Sequence, residues 1–97
     1  MTVYAVRYTY DHRTALQDEE RPEHRAYLRS LADSGSLLGS GPFASGDPGA
    51  LLVLRAESRE ALDSLLAADP FAGIGVIAAT EVRPWTLMLG PWAASAG

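Results

Sequence analysis

His24 is one of two residues whose type and placing can do chemistry. It stands in Arg21-Pro22-Glu23-His24-Arg25-Ala26-Tyr27-Leu28. Tyr27, Leu28 and Leu31 follow at helical offsets that share or adjoin its face, so the imidazole lies on a buried stripe or at its edge. Imidazole takes and returns protons near neutral pH. The second residue is Asp69, far along the chain in Asp69-Pro70-Phe71. A carboxylate touching an imidazole fixes which ring nitrogen carries the proton and favours the cation; burial and the first turn of a helix oppose the cation. Such opposed influences suit a general base or acid. Each residue also has a plainer reading. His24 can be a core histidine satisfied by a backbone carbonyl, and Asp69 before Pro70 can simply end a helix.

Further side chains can build a pocket around such a pair. Tyr8 offers a phenol, Phe71 and Pro70 an apolar wall, and Gly41-Pro42 a stretch of backbone that a ligand can approach. Their plain readings are strand packing, core, turn and strand end. Arg7 and Arg83 can hold a carboxylate or pair on the surface. His12, in Asp11-His12-Arg13, reads as solvated. Two histidines so far apart give no metal-ligand spacing, and no metal site is expected. No glycine-rich phosphate loop, nucleophile elbow or Ser-His-Asp pattern is present, and no cofactor is expected.

These residues need elements to place them. Val3 to Tyr10 alternates β-branched and aromatic residues and reads as a strand, with Tyr4, Val6 and Tyr8 on one face. Asp11 to Glu20 reads as a polar surface loop. Pro22 suits a first helical position, and the helix runs to Ser34, with Gly35 as a left-handed cap. Ser36 to Phe43 reads as a strand interrupted by glycines. Ala44 to Gly49 reads as a hairpin turn, and Ala50 to Ala56 as a strand apolar on both faces. Ser58 caps a second helix, Arg59 to Ala68, that Pro70 brings to an end. After the turn Asp69 to Gly75, Val76 to Trp85 forms a last strand. Thr86 to Gly97 reads as a loosely held tail.

The order strand-helix-strand-strand-helix-strand predicts an α+β, ferredoxin-like βαββαβ protomer. Both helices then lie on one face of a four-stranded antiparallel sheet. The other face is apolar and needs a cover, which predicts a homodimer packed sheet on sheet. The expected organisation is one domain over 1–97, with a core of about 2–86 and a tail of 87–97.

Composition narrows the partners. Twelve acids against eight arginines and no lysine give a net charge of −4, and the arginines look scattered along the chain. Nucleic-acid binding is not expected without a basic stripe. The absence of cysteine excludes disulfides and thiolate chemistry, and it fits a reducing cytoplasm. No signal peptide is expected from the strand-like N-terminus. No apolar run approaches the roughly 20 residues that span a bilayer, so no membrane partner is expected.

Several of these residues, in order, resemble the YciI-like (YCII-related) family. They are Arg21-x-x-His24, Tyr27-Leu28, Leu31, Gly35, Gly41-Pro42, Ala68-Asp69-Pro70-Phe71, Gly75-Val76 and Val82-x-Pro84-Trp85. The resemblance implies a dimeric α+β barrel and a site built on a histidine–aspartate pair, here His24 and Asp69. It also points towards cofactor-independent lyase or isomerase chemistry, such as loss of chloride from a chlorinated hydroxyhydroquinone. The alternative is a non-catalytic dimer that binds a small ligand or a partner protein.

Overall fold

Residues 1–96 are described by a computed structural model. Strand β1 (Thr2–Tyr10) sends Tyr4, Val6 and Tyr8 into the core, as strand alternation requires. It lies in the middle of an antiparallel sheet with β2 (Leu37–Pro42), β3 (Gly49–Ala56) and β4 (Ile77–Pro84), in the order β2-β3-β1-β4. Helices α1 (Thr14–Asp33) and α2 (Arg59–Ala67) cover one face. Their Leu31 and Leu62 meet Leu52 and Leu54 of β3 in the core. The fold is the ferredoxin-like α+β arrangement read from the sequence.

The largest departure is in α1, which begins at Thr14, not at Pro22. The stretch read as a loop up to Glu20 is helical, and Pro22 lies inside the helix. A proline there removes one backbone hydrogen bond. Pro22 and Asp18, whose carbonyl loses that bond, are both exposed, so water can take the place of the missing N–H. The early turns are pinned instead by Gln17, which is buried and donates to the Asp11 carbonyl at 2.9 Å and to Asp11 Oδ1 at 3.0 Å. Arg13 adds a bond to the Gly75 carbonyl at 2.7 Å. His24 therefore sits in the middle of α1, away from the positive end of the helix, and the expected first-turn effect on it falls away.

The segment after α2 is also more ordered than a turn. Pro70–Gly73 forms a single helical turn, α3. Tyr27 of α1 donates its hydroxyl to the Leu65 carbonyl at 2.7 Å, tying α1 to α2. The Gly35 cap has φ +88°, and Ser58 Oγ accepts from Ala61 N–H at 3.1 Å, both as the sequence reading has them.

The face of the sheet opposite the helices bears Leu51, with Phe43, Trp85 and Trp92 around it, all about 42–44% exposed. The tail is not loose where it crosses this face. Trp92 lies so close to Gly39 that a Cβ at that glycine would come within 2.4 Å of the indole. A last helical turn, α4 (Ala93–Ala96), follows. Among the described residues no helix is long and apolar enough to cross a membrane.

Candidate active site

Asp69 is extended (φ −65°, ψ 128°) because Pro70 excludes it from the helical region. That conformation makes it the cap of α3: its Oδ1 accepts from the Phe71 N–H at 2.9 Å. The same carboxylate is met by His24 from α1. His24 Nδ1 lies 2.7 Å from Oδ1 and 3.0 Å from Oδ2. Both side chains are buried. The two places singled out in the sequence meet.

The ring is clamped in its plane as well as at its edge. Phe71 stacks on the imidazole with centroids 3.9 Å apart and planes within 3°. Tyr10 in turn meets Phe71 edge-on at 5.5 Å. A carboxylate offers only acceptors, so Nδ1 carries the proton and donates it. In the neutral ring Nε2 then holds a lone pair. Among the described residues, Tyr8 Oη is the one fully buried side-chain polar atom without a hydrogen-bond partner. Nε2, with no partner either, therefore reaches accessible space.

His24 borders a cavity of about 400 Å³ between α1, β2 and Phe71. His24, Phe71, Gly41 and Pro42 line it, and Leu28, Leu37 and Leu52 supply apolar wall. Tyr8 and Pro70 do not line it. Tyr8 points into the core behind the pair and borders a separate hollow with Leu66 and Ile77. Tyr10 stands in the wall in its place: two residues on from Tyr8, it keeps the same face of β1 and meets Phe71 at the cavity.

The arginines Arg21, Arg25 and Arg29 also line the cavity. In the sequence they read as scattered; their spacing of four places them on one face of α1. That periodicity was the available signal for them. Arg7 pairs with Glu81 at 3.0 Å on the surface, and His12 is exposed. Among the described residues no three histidine or acidic side chains cluster as metal ligands.

The buried pair shapes its neighbours' titration. Burial, and secondarily the Asp69 carboxylate, push the Tyr10 phenol from 10.0 up to about 12. The same two influences push Tyr8 higher still. The fold thus favours the neutral phenols. Their contribution to stability is full below pH 10 and is lost as pH rises through 12. An ultraviolet titration should show the ionisations of Tyr8 and Tyr10 delayed above pH 10 and coincident with loss of far-ultraviolet ellipticity. Reversible ionisation of both these phenols near pH 10 in the folded protein would contradict this placement.

The sequence profile of the YCII-related domain matches residues 2–86. The chain belongs to the YCII-related family. The YciI proteins of Escherichia coli O6:H1 and Shigella flexneri are each 38% identical to this YCII-related chain over 74 residues, covering 67% of it and 76% of their own length. Among solved structures, the 5-chloro-2-hydroxyhydroquinone dehydrochlorinase of Burkholderia phenoliruptrix AC1100, in complex with 2,5-dihydroxybenzoquinone, superposes with a TM-score of 0.75 at 25% identity. It covers 86% of this chain and 92% of its own. SnoaB, a cofactor-independent oxygenase from Streptomyces nogalater, shares the fold with a TM-score of 0.53 at 11% identity, covering 93% and 95%. These neighbours are dimeric α+β barrel proteins.

Proposed function

We propose that this YCII-related protein is a cofactor-independent enzyme of lyase or isomerase type acting on a small cyclic substrate. The carrying observation is the buried His24–Asp69 pair, with Nδ1 bound to the carboxylate, at the wall of a cavity that Leu28, Leu52 and Phe71 also line. Nε2 takes a proton from a ring hydroxyl or an acidic C–H. The electron pair left behind moves into the ring. It then either expels a leaving group with its bonding pair, as in loss of hydrogen chloride, or collects a proton at another carbon. Asp69 holds the imidazole in the productive tautomer and stabilises the imidazolium. Phe71 keeps the ring in plane and, with Leu28 and Leu52, gives the substrate an apolar wall. Gly41 and Pro42 border the far side, where no bulky side chain blocks the backbone.

The similarity to the dehydrochlorinase supplies a first substrate. Chloride release from 5-chloro-2-hydroxyhydroquinone, without added metal or cofactor, should exceed the background rate by orders of magnitude. If neither this compound nor a panel of halogenated rings and ring lactones is turned over, the enzymatic reading fails.

The apolar outer face of the sheet supports a homodimer formed through Leu51, Phe43 and the two tryptophans. Sedimentation should give twice the 10.3 kDa chain mass. A monomer at micromolar concentration would contradict it.

A further inference from the structure

We propose that the His24 cavity takes an anionic ring compound, held by Arg25 and Arg29 through a carboxylate on the ring. This deepens the proton-transfer reading and rests on it only for the fate of the bound acid. The starting point is an imbalance of charge. The chain carries a net charge of −4, yet three of its eight arginines line this one cavity and no acidic residue lines it. Asp69, behind the imidazole, is committed to His24 and to the Phe71 N–H.

Arg21 has a partner, since it makes an ion pair with Asp18 on the outer surface. Arg25 and Arg29 have no ion pair among the described residues, whereas Arg7, Arg13 and Arg59 all do. Like charges four apart on a helix repel, so the Arg25–Arg29 arrangement is unfavourable in the empty protein. A bound anion turns that repulsion into attraction.

The chemistry of the wall narrows the anion. A guanidinium fork matches a carboxylate in a planar, bidentate way. Leu28, Leu37, Leu52 and Phe71 leave the remainder of the ligand in apolar surroundings, which favours a ring over a chain of hydroxyls. A volume of about 400 Å³ is at the small end of ligand pockets and suits a single ring. The arginines have a second consequence for the proposed reaction. When His24 takes a proton from the ring, negative charge appears on the substrate, and the same guanidiniums stabilise it.

The test uses benzoate as probe and benzamide, which has the same shape without the charge, as control. Binding to the intact protein is followed by nuclear magnetic resonance of the His24 ring and the leucine methyl groups. Benzoate should bind at least about tenfold more tightly than benzamide, and its affinity should fall with added salt. In the Arg25→Gln/Arg29→Gln double variant, benzoate affinity should drop at least about tenfold and benzamide affinity stay unchanged. Arg59→Gln, on the exposed face of α2, should change neither. Both cavity arginines are exposed side chains, so the double variant should keep the wild-type circular dichroism. Equal affinity for the two probes, no saturable benzoate binding, or benzoate binding untouched by the double substitution would each overturn the proposal. Benzoate binding without turnover of any ring acid would sink the enzymatic reading and leave the anion site standing. Turnover of neutral rings with no preference for acids would do the reverse.

Discussion

Phe71→Ala lowers the free energy of unfolding by about 3–5 kcal/mol, the range for deleting a buried aromatic ring. Phe71 is 1% exposed and is held between the face of His24 and the edge of Tyr10. Its backbone N–H stays capped by Asp69 in the variant, so the loss reports the ring alone. Set against a total stability of about 5–15 kcal/mol for a domain, the effect is large. Urea unfolding measures it. Phe71→Leu refills most of the volume and should recover most of the loss. A cost below about 1 kcal/mol for Phe71→Ala would mean that the ring is not the packing partner of the imidazole.

His24→Gln should reduce turnover of a true substrate by about 10²–10⁴-fold, the usual worth of a positioned general base. Glutamine is the informative replacement. Its amide can still donate to the Asp69 carboxylate, so the buried charge keeps a partner. Alanine would strand that carboxylate at a cost of about 3–5 kcal/mol, mixing folding with chemistry. The expected result is a folded protein with an unfolding midpoint near the wild type and a collapsed kcat. Turnover retained within about twofold would remove His24 from the reaction.

The strands were legible because alternating β-branched and aromatic residues in β1 and the apolar run of β3 leave little choice. Ser58 and Gly35 marked helix ends through local hydrogen bonding and backbone conformation, which neighbouring residues decide. The start of α1 was not legible. Pro22 suits a first helical turn, and nothing local says that Gln17, through Asp11, holds two further turns in front of it. The same long-range cause hid the tail: Trp92 finds Gly39 only once β2 is in the sheet. At the site, His24 and Asp69 stood out by type and by context. Tyr10 did not: it shares the face of Tyr8 by strand alternation, and which of the two reaches the cavity depends on where α1 and Phe71 pack along β1. Arg25 and Arg29 were visible as a spacing of four, yet only the cavity shows which side of α1 that spacing faces.

Proton transfer at this site depends on which nitrogen of His24 bears the proton. Nitrogen-15 shifts of the ring in wild type and Asp69→Asn read this directly. In neutral wild-type protein, Nδ1 should be protonated and Nε2 bare. In Asp69→Asn, whose amide can donate as well as accept, that preference should weaken. A neutral ring protonated at Nε2, or a tautomer preference indifferent to Asp69→Asn, would contradict the proposal that this pair is built to take a proton from the cavity.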